Sequence, residues 1–112
     1  MRIISLILAL ITPAYSFTGF SYDQWYLQYT DTDTKSVAAS FIYGIATGVS
    51  SASTYQENVG NAKIICRGED LFFPDDIAQM TAKYVARHPS LSDLPLSIPV
   101  TLALIEAFPC KK

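Results

Sequence analysis

The chain has 112 residues, 50% of them hydrophobic and 16% charged, with a formal net charge of −2. A length of this order supports one small domain. Mild acidity, with no Lys or Arg cluster beyond Lys111 and Lys112, counts against a nucleic-acid surface, which has to neutralise phosphates.

The chain opens as an export signal. Arg2 gives a short positive start, residues 3–11 form an apolar run broken only by Ser5, and Pro13 precedes the small-residue pattern Ala14-Tyr15-Ser16. Cleavage is expected before Phe17, which makes residues 1–16 a signal peptide and 17–112 the mature domain. The run is shorter than the roughly 20 residues that a bilayer crossing needs, so no membrane association is expected once it is removed. The mature domain keeps seven Lys and Arg against ten Asp and Glu, a net charge of −3.

Beyond the signal, apolar residues recur at the helical period rather than the two-residue strand period. The fold class expected is all-α, a small four-helix domain. The first helix, Tyr22 to Tyr29, brings aromatic rings of Trp25, Tyr26 and Tyr29 toward one face, where core packing is the expected use. Residues 30–33 then form a polar break of Thr and Asp, side chains that cap helices.

The second helix is expected from Thr34 to Tyr55, with Val37, Ala38, Phe41, Ile42, Ile45, Val49 and Ala52 as its buried stripe. Gly44, Gly48 and Ala52 form a row of small residues at four-residue spacing. Each glycine costs a helix about 1 kcal/mol relative to alanine, so the row is expected to serve a close contact. That contact lies within the monomer on the first reading and between subunits on the second.

Residues 56–73 read as a loop containing Asn58, Gly60, Asn61 and Cys66. The third helix starts at Pro74, a residue suited to the first turn, with Asp75 and Asp76 placed favourably for the helix dipole. Ile77, Met80, Tyr84 and Val85 form its buried stripe, Arg87 sits in its last turn, and Pro89 ends it at His88. The connection Ser90 to Leu96 carries Leu91, Leu94 and Leu96, which are hard to bury together in so short a segment. Either they are exposed or they fold back over the core. The last helix, Ser97 to Phe108, is apolar almost all round and is expected at the centre of the bundle.

Cys66 and Cys110 are the only cysteines, and in an exported chain two thiols are expected to pair. Closing that 44-residue loop stabilises by about 4 kcal/mol on the chain-entropy account. No catalytic constellation accompanies them. His88, the single histidine, has no nucleophile or carboxylate at motif spacing. One histidine and two paired cysteines do not make a zinc site. Asp75 with Asp76, and Glu69 with Asp70, read as solvated charge near helix starts, and no glycine loop of the phosphate-cradling kind is present. No enzyme activity and no cofactor are expected.

The order of pieces is informative: a helix with Phe41, Ile42, Tyr43, Gly44 and Gly48, then Cys66, then Tyr84 with His88-Pro89, and finally Ala103-Leu104-Ile105-Glu106-Ala107-Phe108-Pro109-Cys110. Over residues 36–110 this resembles the Tai-type immunity proteins. The resemblance implies a periplasmic, mostly helical and often homodimeric protein that neutralises a cell-wall amidase effector delivered by a type VI secretion system. It also implies a mechanism, occlusion of a Cys-His cleft in the amidase. The plug expected is the loop after Pro89, with Ser90, Leu91, Ser92, Asp93 and Leu94 in contact and Tyr84, Arg87 and His88 extending the surface. A periplasmic acid-stress chaperone is the alternative, since ten carboxylates and many apolar residues could open at low pH. The low charged fraction counts against it.

Overall fold

The computed structural model describes residues 20–66 and 73–110; the expected signal segment over 1–16 and the stretch 67–70 lie outside them. Among the described residues there are four α-helices and no strand: α1 (Tyr22–Thr30), α2 (Lys35–Asn58), α3 (Pro74–Arg87) and α4 (Ser97–Ala107). A single 3₁₀ turn, Pro89–Leu91, follows α3. The all-α expectation holds, with helix ends within a turn of those read from the sequence.

Local chemistry explains the boundaries. Ser21 starts α1 with a capping box: its hydroxyl accepts from the Gln24 backbone N–H, while the Gln24 side chain accepts from the Ser21 N–H. The polar break after α1 closes that helix rather than capping α2. Thr30 Oγ1 donates to the Tyr26 and Leu27 carbonyls, and Thr34 Oγ1 donates to the Gln28 carbonyl. Gly60, with φ of +86°, turns the chain away after α2, a conformation that an L side chain resists. Pro74 opens α3 with Asp75 and Asp76 behind it, as expected.

The long helix α2 is the spine, touching α1, α3 and α4. The central place expected for α4 therefore belongs to α2. Helix α4 packs on α2 and α3 through Pro99, Val100, Ala103 and Leu104, while Ile98 and Ile105 face outward. On α3 the buried residues are Ile77, Ala78, Thr81 and Val85, with Met80 and Tyr84 half-buried.

The stripe expected on α2 divides. Ala38, Ile42 and Ala46 are buried, but Val37 is 68% and Phe41 48% exposed, and Ala52 is exposed as well. The expected stripe is wider than the face that the other three helices cover. Ser53 is the unexpected core member: its hydroxyl donates to the Ile65 carbonyl and accepts from the Ile64 and Ile65 N–H groups, at 2.9 to 3.1 Å. It slings the segment before Cys66 against α2.

Trp25 locks α1 onto α2. Its ring is buried, and the indole N–H donates to the Ala38 carbonyl at 2.8 Å. Tyr29 stacks on Trp25 with ring centroids 4.8 Å apart, whereas Tyr26 is exposed. The Tyr29 hydroxyl donates to Asp75 at the start of α3, and Lys35 lies 5.0 Å over the Tyr29 ring. Burial first, then this bond, pushes the Tyr29 phenol up to about 12. At the far end of α2, Cys66 and Cys110 form the expected disulfide, and the Cys66 N–H donates to the Phe108 carbonyl at 2.9 Å.

Candidate partner-binding site

The connection between α3 and α4 is fixed by its backbone. The N–H groups of Leu91, Ser92 and Leu94 donate to the carbonyls three residues earlier, giving consecutive tight turns. The same segment lies along the start of α1. Tyr22 and Asp23 N–H donate to the Leu94 and Ser92 carbonyls, and Leu96 N–H donates to the Phe20 carbonyl. Ser21 and Pro95 form an antiparallel bridge.

This pairing separates the three leucines. Leu96 is buried at 2% exposure, and Leu91 is half-buried against the core; of the three, Leu94 alone is exposed. The two readings left open for these leucines therefore divide between them: Leu91 and Leu96 turn to the core and Leu94 is exposed. The backbone pairing with residues 20–23 carries Leu96 inward while Asp93 and Leu94 face water. Ser90 is exposed, and Ser92 is half-buried with its carbonyl engaged.

Tyr84, Arg87 and His88 meet at the end of α3. The His88 ring lies 4.5 Å from the Tyr84 ring, and the Arg87 guanidinium lies 5.4 Å over the same ring. Arg87 also grips Glu106 of α4 with both terminal nitrogens, Nη1 donating to Oε1 at 2.6 Å and Nη2 to Oε2. That bidentate bond holds the Glu106 carboxyl below its ordinary range and the Arg87 guanidinium above its own. Arg87 therefore stands as a fixed part of the surface, with its charge already matched. Sequence spacing offers no sign of Glu106, its partner 19 positions away.

The row Gly44, Gly48 and Ala52 is brought together on α2, but on its open side. A Cβ built at Gly44 or Gly48 would meet nothing within 4 Å. Among the described residues, then, nothing packs closely on this row: α1, α3 and α4 lie toward Ala38, Ile42 and Ser53. Near the other end of this open side, a cleft of about 150 Å³ lies between α1 and α2. Phe20, Val37 and Phe41 form its exposed lip, and the buried Trp25 and Ala38 form its floor.

Among the described residues, no group of three or more His, Cys, Asp or Glu side chains could hold a metal ion, and no helix is long and apolar enough to cross a membrane. The family model of the Rap1a immunity proteins matches residues 18–110. The chain belongs to the Rap1a immunity protein family. Neither the curated proteins nor the solved structures yield a match.

Membership in the Rap1a family makes the partner an effector protein and the task immunity, the coarser part of what the Tai-type resemblance implied. The matched span covers all four helices, both cysteines and the whole α3–α4 connection. A disulfide in a Rap1a family member fits a chain exported to an oxidising compartment.

Proposed function

We propose that this protein is a periplasmic immunity protein that binds a type VI cell-wall amidase effector and occludes its catalytic cleft, catalysing nothing itself. The observation supporting this reading is the connection between α3 and α4: its backbone is tied to the start of α1, yet Asp93 and Leu94 face outward. A segment already held in one conformation loses little entropy when it enters a groove, so more of its contact energy becomes affinity. Leu94 supplies the apolar anchor and Asp93 a carboxylate for a histidine in the amidase. Tyr84, His88 and Ser90 widen the contact, with Arg87 held by Glu106.

The open row Gly44, Gly48 and Ala52 suits a homodimer, since two backbones approach closely where no side chain intervenes. Light scattering of the processed protein and of Gly48→Leu tests this: a dimer that the leucine disperses supports it, and a monomer refutes it.

The plug is tested by peptidoglycan hydrolysis with purified cell-wall amidases, a panel of the Cys-His type, titrated with the protein. One amidase is expected to be silenced at near-stoichiometric amounts. Asp93→Ala with Leu94→Ala is expected to weaken inhibition by about 30-fold or more, the scale of one hot-spot truncation. Full potency from this variant, with an unchanged melting curve, removes the plug.

A further inference from the structure

The cleft between α1 and α2 adjoins the α3–α4 connection. Phe20 carries both: its carbonyl accepts from Leu96 N–H, and its ring packs edge-on against Phe41 with centroids 5.5 Å apart. The cleft and the connection are thus joined through Phe20. The Trp25 indole N–H is already bonded to the Ala38 carbonyl, so the floor presents no unmet polar group. An apolar space of about 150 Å³ holds one aromatic ring or branched aliphatic side chain.

Charge tells what kind of molecule brings that side chain. Residues 20–34 and 89–99 contain no Lys or Arg, but they carry Asp23, Asp31, Asp33 and Asp93, all exposed. Asp31 and Asp33 lie in the turn between Gln28 and Thr34, two residues that line the cleft, and the Asp23 N–H is bonded to Ser92 in the connection. Among the described residues none of the four has an ion pair, while Glu57 and Glu106 elsewhere each do. Two unmatched carboxylates, Asp31 and Asp33, thus border the apolar hole, and Asp23 and Asp93 add charge along the connection; Lys35, the next cation in the chain, lies over the Tyr29 ring.

We propose that this cleft is a second docking site for the partner protein, taking an apolar side chain that projects from a patch of Lys or Arg. A second copy of the chain would bring the same carboxylates, Asp31 and Asp33, against these, and an anionic membrane surface would be repelled likewise. A cationic protein surface is attracted from a distance and then anchored, a division of labour in which charge sets the encounter rate and the buried side chain sets residence. This extends the effector-binding reading from the connection to the neighbouring cleft, and rests on that reading only for who the partner is.

The test uses the isotope-labelled protein, processed and recovered after export, titrated by NMR with acetylated tripeptide amides Arg-Phe-Arg, Gly-Phe-Gly and Glu-Phe-Glu. Arg-Phe-Arg is expected to move the Trp25 indole N–H and the Val37, Ala38 and Phe41 amides. Its affinity is expected to fall about fivefold between about 20 and 200 mM salt, as screening shortens the reach of the carboxylates. Val37→Lys, a change at an exposed position, is expected to abolish these shifts. Asp31→Asn with Asp33→Asn, which keeps the turn's acceptor oxygens, is expected to lower the affinity for Arg-Phe-Arg to that for Gly-Phe-Gly.

The proposal is overturned by unmoved cleft resonances, by equal shifts from Glu-Phe-Glu, or by a dimer that Val37→Lys dissolves, which would seat a second copy there. No effector enters the titration. Its failure therefore removes the cleft and leaves the plug standing, whereas failure of the Asp93 and Leu94 variant leaves the cleft.

Discussion

Replacing Ser53 by alanine is expected to be among the most damaging single-atom changes available in this chain. The side chain is 2% exposed and its hydroxyl makes three hydrogen bonds, one donated to the Ile65 carbonyl and two accepted from Ile64 and Ile65 N–H. Ile65 is itself buried, so in Ser53→Ala its N–H and carbonyl lose their partner away from water. Ile64 is half-buried and can recruit solvent. Each buried polar group left unpaired costs about 1–3 kcal/mol, so two of them cost roughly 3–4 kcal/mol, while the lost volume is a single oxygen and adds little. Domains of this size have about 5–15 kcal/mol in total. In urea, with a slope of about 1.5 kcal/mol per molar, the midpoint should fall by about 2 M. Ser51→Ala, at an exposed position on the same helix, is the control and should shift it by less than about 0.3 M. A Ser53→Ala midpoint within about 0.5 M of the parent would refute the reasoning, since it would mean that the 64–65 backbone finds other partners.

Three further outcomes follow from the same structure. Cys66→Ser with Cys110→Ser should lose about 4 kcal/mol, read from thermal melts that match those of the parent under reductant; equal melting with and without reductant would contradict it. In an alkaline titration followed by phenolate absorbance, one tyrosine should ionise near 12, and Tyr29→Phe should delete that phase. Because burial first and the bond to Asp75 second raise the folded pKa, the stabilisation from keeping this phenol neutral is complete below the ordinary value of 10.0 and disappears as pH rises toward 12. The Glu106 carboxyl, lowered by its bond to Arg87, should titrate below 4.5 by carbon-detected NMR, and Arg87→Met should return it toward 4.5. Here the sign is opposite: the ion pair contributes above 4.5 and is lost as pH falls through the lowered value.

The helices and the disulfide were legible because their signals are local or arithmetical. Pro74 and Pro89 punctuate α3, three- and four-residue spacing marks each helix, and two cysteines leave one pairing. What stayed hidden depends on neighbours far along the chain. Val37 and Phe41 are the same residue types as a core stripe, and only the placement of the other helices decides that Ala38 and Ile42 go inward. Ser53 sits among Ser50, Ser51 and Thr54, and nothing local distinguishes the one whose hydroxyl meets the 64–65 backbone. The pairing of the connection with residues 20–23, which separates Leu94 from Leu96, joins pieces some 70 positions apart and leaves no mark on local spacing. The glycine row was visible as a row; its side of the helix was not.

The distribution of roles along α2 has a consequence for how such a surface changes. The sling and the cross-link sit at one end, where Ser53 holds Ile64 and Ile65 and the disulfide closes beside them, while Trp25 bonded to Ala38 holds the other end from beneath the cleft. The exposed cleft lip and the Thr34 end of the helix lie 12 to 19 residues away from Ser53, about 20–30 Å at 1.5 Å per residue. Sites that far apart with no shared partners contribute nearly independently to stability. Exchanges at the exposed Val37, Asp33 and Asp93 should therefore leave the sling and cross-link undisturbed. The connection is the exception. Its carbonyls at Ser92 and Leu94 anchor the start of α1, so Asp93 and Leu94 can vary in side chain, whereas insertion there would break the pairing that holds them out. Substitutions in this connection should thus alter recognition with little change in melting, and a one-residue insertion after Ser92 should lower both.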